Sequence, residues 1–398
     1  MILVAEKSSV QINPGGRLQT DDVVGRDKEI ARYWSVLDRQ GLVISAERRI
    51  GKTHIVLKMR DECRDGYLAL YQDLEAVHSI ADLIRSIYST VEQSAGTTPH
   101  LKALVAKWSG LLPKKIAGVE MPSGDDAWQA LLPDAFDDLI RAAEGKRVLM
   151  LWDELPLMLH NLQRRKGHDS AIHLLDHLRA LRLARADRLR FLFTGSIGLH
   201  LVLRSLRQVG NANEPVNDML SLTVPPMAWS DTCDLAAALL AETPAAPAQI
   251  PVLAGRIAEQ VGGFPYYIHH VADQLDQLRR PPELDDVASA VDRLVYDAHD
   301  PANFNYYVDR LSSYYADADR SLALTVLDVI AGQPSPVPPP TILNLCRHKD
   351  PSLSDERLRQ ILTVLAEDHY IEPKKGTQGI AFDFRWQLVK KWWQETRS

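Results

Sequence analysis

The sequence predicts an α/β fold in which a parallel sheet is covered by helices on both faces, followed by a wholly helical region and a C-terminal part that closes on a hairpin. Three observations carry this expectation. Short apolar runs rich in β-branched residues alternate with stretches of helical periodicity through the first half of the chain. The alternation stops after Pro226, beyond which helical spacing alone continues to about residue 299. Near the end, Tyr370-Ile-Glu-Pro-Lys-Lys-Gly-Thr-Gln-Gly-Ile-Ala-Phe382 sets two strand-like runs on either side of a Gly-containing turn.

Taken in order, Gly-Leu-Val-Ile-Ser-Ala at 41–46 reads as a buried strand, and 55–63 as the helix after it. A second strand is expected at 67–74 and a helix at 78–92. Between 94 and 125, Thr-Thr-Pro, Leu-Leu-Pro-Lys-Lys and Met-Pro-Ser-Gly-Asp break both periods, which predicts an inserted loop with a short helix. Helix at 128–144, strand at 147–152, helix at 169–184 and strand at 189–194 complete the alternating part. Strands separated by helices in this way form parallel sheets buried on both faces. The later helical stretch is interrupted at Thr-Pro-Ala-Ala-Pro, at Gly262-Gly263-Phe264-Pro265 and at Arg-Arg-Pro-Pro, and resumes at 311–330. After a proline-rich break come helices at 341–346 and 355–367 and the hairpin, a series that resembles a winged helix.

With 398 residues, 45% of them apolar and 25% charged, the chain has the proportions of a folded protein of more than one domain. The boundaries expected are 1–228, 229–300 and 301–398. No run approaches the ~18 apolar residues of a membrane span, and Met-Ile-Leu-Val-Ala-Glu-Lys is too soon charged for a signal peptide, so the cytoplasm is the expected compartment. Cys63, Cys233 and Cys346 are too dispersed for a zinc or redox motif, and the histidines lack metal-ligand spacing. A net charge of −6 imposes no nucleic-acid partner.

The chemistry lies at the strand ends. Ala46-Glu-Arg-Arg-Ile-Gly-Lys-Thr53, set between a buried strand and a helix, meets the structural condition for a phosphate-binding loop: backbone amides around the phosphates, Lys52 against the β and γ charge, and the Thr53 hydroxyl on magnesium. The usual opening glycine is Ala46 here. Arg49, Ile50, Gly51, Lys52, Thr53 and His54 are the expected nucleotide-binding residues of this loop. Val-Leu-Met-Leu-Trp-Asp153-Glu154 delivers two acids where parallel sheets bind ligands, Asp153 for magnesium and Glu154 to polarise the attacking water. A helix N-cap with a first-turn acid is the structural alternative. A third strand ends in Thr194-Gly195-Ser196, where a hydroxyl could sense the γ-phosphate or orient the water, or simply close a turn. The ligands implied are ATP and Mg2+, on a parallel-sheet P-loop NTPase core.

With these elements in order, nearly the whole chain resembles the P-loop ATPases of the STAND class and their archaeal-type relatives, close to the origin-recognition ATPases. That resemblance implies an ASCE, AAA-like core with a helical lid and a C-terminal winged helix. Val24-Gly25-Arg26-Asp-Lys-Glu29 matches the class's Gly-Arg-x-x-Glu element near the adenine, which implicates Gly25 and Arg26. Gly263-Phe264-Pro265 resembles its Gly-x-Pro lid element, where Pro265 would touch the base. The closing segment implicates Arg385 near the β-phosphate. An arginine finger from a neighbouring subunit is a further expectation, with Arg185 the candidate among Arg182, Arg185 and Arg188, although four arginines between 182 and 190 are more often a solvated face. Defence against phage is a common setting for bacterial relatives.

The function expected is a slow ATPase acting as a nucleotide-controlled conformational or assembly switch, its partners ATP, ADP and a protein or further copies of itself. The alternative is an ATP-dependent loader that sets its winged helix on duplex DNA, using Arg357, Arg359, Lys374, Lys375, Lys390 and Lys391. Asp355, Glu356, Glu367, Asp368 and Glu372 nearly cancel that local charge.

Overall fold

A computed structural model describes residues 10–94, 99–116, 127–196, 198–210, 213–376 and 379–397. Two compact units are present: Arg26–Arg48 with Lys52–Val224, and the rest of the described residues, including Arg49–Gly51 and everything from Pro225 onward.

The first unit is a five-stranded sheet. Its strands are β1 (Gly41–Ser45), β2 (Tyr67–Asp73), β3 (Arg147–Asp153), β4 (Leu189–Thr194) and β5 (Met219–Thr223), in the order β2-β3-β4-β1-β5 and all parallel. β3 and β4 lie inside the sheet and are buried almost throughout, as strands covered on both faces must be, with an apolar run Val148–Trp152 in β3 between Arg147 and Asp153 and with Arg190 and Thr194 the polar residues of β4. Trp152, Phe191 and Phe193 pack against one another on the sheet, and Phe136 from the helix Ala127–Ala142 meets Phe191 edge to face. β5 is absent from the sequence expectation. It is an edge strand in which Met219 alone is buried and Leu-Ser-Leu-Thr alternates half-buried and exposed residues, too short and too polar to register as a buried run.

The insertion also differs from expectation. In place of a loop with a short helix, an 18-residue helix, Pro99–Ile116, runs through Gly110 and Pro113. Leu101, Leu104 and Trp108 are buried at helical spacing, and this tertiary burial outweighs the breakers. Pro99 opens the helix, where a missing N–H costs nothing. Met-Pro-Ser-Gly-Asp at 121–125 lies outside the described residues.

From Pro225 onward the second unit runs through four helices, Trp229–Leu240, Ile250–Val261, Pro265–Asp276 and Leu284–Tyr296. Gly263 (φ +78°) has no room for a side chain: a Cβ there would lie 2.6 Å from the Met227 carbonyl. Pro265 follows as the opening residue of its helix. The stretch expected as one helix at 311–330 is two, Asn305–Tyr314 and Asp317–Ala331, separated at Tyr315 and Ala316 by extended backbone. Helices Pro339–Arg347 and Asp355–Glu367 lead to the antiparallel pair β6 (Ile371–Gly376) and β7 (Gly379–Phe384), and the helix Gln387–Arg397 ends the fold.

Aromatic contacts run continuously through this unit, from Trp386 to Phe264, Tyr267, Phe304 and Trp392, and on to Trp393 and Phe384. Trp393 is wholly buried, with its indole N–H on Asp328 at 2.9 Å. At the heart of the C-terminal helices Arg310 is ion-paired with Asp368, both buried, and the Tyr315 hydroxyl donates to the same carboxylate at 3.0 Å. No helix among the described residues is long and apolar enough to cross a membrane.

Candidate functional site

β1 delivers the chain to its carboxyl end at Ser45, and the helix Lys52–Asp61 starts seven residues later. The turn between them has left-handed backbone at Arg49 (φ +66°) and Gly51 (φ +100°). Around Gly51 a Cβ would meet open space, so its glycine is required by conformation and not by crowding. Ala46 has no left-handed backbone, which explains how alanine can stand where the usual loop opens with glycine. Lys52, 6% exposed, donates to the Ala46 carbonyl at 2.7 Å and to that of Glu47 at 2.5 Å. The N-terminal end of its helix favours anions through unsatisfied amides and the helix dipole.

β3 brings its acids to the same edge. Asp153, the last residue of the strand, accepts from the Thr53 hydroxyl at 2.6 Å and from the Glu154 amide at 3.1 Å. Burial pushes its carboxyl above the usual range, opposed by the Thr53 hydrogen bond and the charge of Lys52. Glu154 has left-handed backbone (φ +59°) and occupies the N-cap position of the helix Leu155–Lys166, yet its side chain caps nothing. It turns instead to Ser196, accepting from the backbone amide at 2.9–3.0 Å and from the hydroxyl at 2.9 Å. Burial raises the Glu154 carboxyl too, and the Ser196 amide pulls it back.

β4 ends at Thr194, in register with Ile44 of β1. Its hydroxyl is buried, the residue being 1% exposed, and has no hydrogen-bond partner among the described residues. An unmet buried hydroxyl is costly, and such groups call for a ligand, ion or water.

No protein-family model matches the chain, and no curated protein sequence matches it significantly. Solved structures do. The Walker-type ATPase PABY2304 of Pyrococcus abyssi superposes with a TM-score of 0.63 at 16% identity, covering 96% of this chain and 99% of that one. The ORC2 protein of Aeropyrum pernix, in its ADPNP–ADP complexes, gives a TM-score of 0.50 at 13% identity over 93% and 94% of the two chains. The chain has the fold of a P-loop ATPase.

On that fold Lys52, Thr53, Asp153, Glu154 and Thr194 stand together at the carboxyl ends of adjacent strands. The Thr53 hydroxyl on the Asp153 carboxylate is a hard-oxygen donor set of the kind that suits magnesium. Arg185 is not brought there. It follows the helix His168–Ala184 at the amino-terminal end of β4, the opposite end of the strand from Thr194, and is held by the Asp137 carboxylate through two bonds of 2.6 Å. Arg182 is likewise engaged, with Asp218, while Arg188 is exposed.

The other expected residues fall as follows. Gly25 (φ +71°) closes on Asp231, 2.5 Å from where a Cβ would stand, and Arg26 is buried as the N-cap residue of the helix Asp27–Leu37. Ile50 is buried and His54 half-buried. Arg385 bonds through its guanidinium to His369 Nδ1 at 2.9 Å and lies near the Trp386 ring. Arg49 reaches the helix Pro265–Asp276: its guanidinium stands 4.4 Å over the Tyr266 ring and donates to the Tyr266 hydroxyl, which itself donates to the Pro301 carbonyl at 2.9 Å. His270 meets the same ring edge-on, and burial together with the Arg49 charge pushes its pKa down to about 4. Tyr266 went unnoticed in the sequence although it directly follows Pro265. Aromatic residues in the Gly-Phe-Pro-Tyr-Tyr run were the available signal.

Proposed function

We propose that the protein binds ATP with magnesium and hydrolyses it slowly, using nucleotide state to control its conformation or assembly. The observation that carries this reading is the joining of Thr53 to Asp153, with Glu154 next in the chain, at the edge where the phosphate loop ends. The fold shared with a Walker-type ATPase and with a protein solved with ADPNP and ADP supports it.

Lys52 turns from the loop carbonyls to the phosphates, whose charge favours an ammonium more than a neutral carbonyl does. Thr53 and Asp153 would hold magnesium, which when bound neutralises the β and γ oxygens. Glu154 accepts the proton of the attacking water, and burial keeps its carboxylate more basic than an exposed one. The buried Thr194 hydroxyl is left to meet the γ-phosphate or the water.

The switch part of the reading rests on Arg49. This loop residue is tied to Tyr266, so a loop that rearranges around phosphate also alters the contact with the helix Pro265–Asp276. The C-terminal helices and hairpin, taken as a winged helix, suit a protein partner or a second copy better than a duplex. Of the basic residues expected to face DNA, Arg357 pairs with Asp319, Lys374 with Glu372, Lys390 with Asp383 and Lys391 with Asp292. Cations already matched release few counterions from DNA.

Glu154→Gln tests the catalytic part. ATP turnover should fall by about a hundredfold or more while the nucleotide-dependent melting shift persists, because an amide cannot take the proton. Turnover equal to wild type would place the base elsewhere.

A further inference from the structure

A carboxylate serving as base needs a fixed direction as well as a suitable basicity, and general bases are commonly held by a third group. Glu154 has no such hold within its own element. Its backbone is left-handed, a conformation that is strained for a non-glycine residue, and its side chain makes no cap to the helix it opens. What fixes it comes from the end of β4, where the Ser196 amide reaches both carboxylate oxygens and the Ser196 hydroxyl donates to one of them. The two turns are fitted together at Gly195, where a Cβ would stand 2.7 Å from the Pro156 ring and 3.4 Å from the Glu154 carboxylate. Only a residue without a side chain lets Ser196 come this close.

We propose that Ser196 is the positioning residue of Glu154, its amide and hydroxyl setting the direction of the carboxylate toward the attacking water. The inference rests on the ATPase reading and deepens it. Ser196 thereby has a role different from that of Thr194 two residues earlier: Thr194 keeps a buried hydroxyl for the ligand, whereas the Ser196 hydroxyl is committed to the base. The backbone amide remains in any side-chain variant, so removing the hydroxyl loosens the carboxylate without releasing it.

The test is steady-state ATP turnover of wild type, Ser196→Ala, Ser196→Thr, Glu154→Gln and the double variant Glu154→Gln with Ser196→Ala. Loss of one charge-assisted hydrogen bond should lower kcat about tenfold in Ser196→Ala, with KM and the ATP-dependent melting shift unchanged. Ser196→Thr, which keeps the hydroxyl, should recover most of that loss. In the double variant the serine change should have no further effect, because with Glu154 gone there is no base to position. Equal kcat in Ser196→Ala and wild type overturns the inference alone, as does a tenfold loss that persists in the Glu154→Gln background. A fall in melting temperature with an unrecovered kcat in Ser196→Thr overturns it too, since that is the pattern of a merely structural serine. If wild type shows no turnover at all, the ATPase reading falls and the inference with it.

Discussion

Lys52 and Lys390 are two lysines removed almost equally from water, 6% and 5% exposed, and the structure treats them differently. Lys390 donates to the Asp383 carboxylate at 2.7 Å, a matched pair of charges. Lys52 is turned onto the carbonyl oxygens of its own loop. The acids repeat the contrast. Asp368 is buried against Arg310, whereas Glu154 is held by a serine amide and hydroxyl, and Asp153 by a threonine hydroxyl. A buried charge met by its opposite is already neutralised and has little left for an incoming ion. At the strand ends Lys52 bonds loop carbonyls, Thr53 bonds Asp153 and Ser196 bonds Glu154, with the Lys52 charge acting on both acids, a set of groups that can turn to an incoming ion, so the strand ends of the first unit read as a site and the C-terminal pairs as framework.

The largest effect expected from this comparison is on the framework side. Arg310→Ala leaves the Asp368 carboxylate buried without the guanidinium, with the Tyr315 hydroxyl still on it, and should cost roughly 3–5 kcal/mol in equilibrium denaturation of the chain. A cost under about 1 kcal/mol would show that the pair is not neutralised in the sense argued, and the contrast with the strand ends would lose its reference.

The smallest effect concerns the exposed cations left in the C-terminal region. Arg359 and Lys375 are exposed, and replacing both with alanine should change the apparent affinity for duplex DNA by no more than about twofold. A fluorescence-anisotropy titration across a salt series is the measurement. A steep salt dependence whose slope falls by about one for each residue removed would favour the loader reading over the protein-facing switch.

Much of this was legible in the sequence because it is local. The apolar run before Gly51-Lys52-Thr53 and the one before Asp153-Glu154 both become buried strands of one parallel sheet, and the order of motifs sets their ends side by side. The features missed are those that depend on distant partners. Arg182 and Arg185 read as finger candidates or as a solvated face, yet each finds a carboxylate, Asp218 and Asp137, from another part of the chain. β5 escaped because an edge strand needs only one buried face, and its short alternation looks like a loop. The helix Pro99–Ile116 escaped because its breakers are visible in sequence while the apolar bed under Leu101, Leu104 and Trp108 is not. The hold of Ser196 on Glu154 depends on a left-handed residue and a close approach at Gly195, neither of which spacing reveals.

The central claim, that the loop ending in Lys52 and Thr53 is a phosphate site, is tested most directly by thermal denaturation with and without ATP and magnesium, on wild type and on Lys52→Ala. Ligand that binds only the folded chain raises its melting temperature by mass action, so wild type should shift upward with ATP concentration. Lys52→Ala, with no ammonium to meet the phosphate charge, should melt at one temperature whatever the ATP concentration. An equal upward shift in both proteins would contradict the account and put the nucleotide somewhere other than this loop.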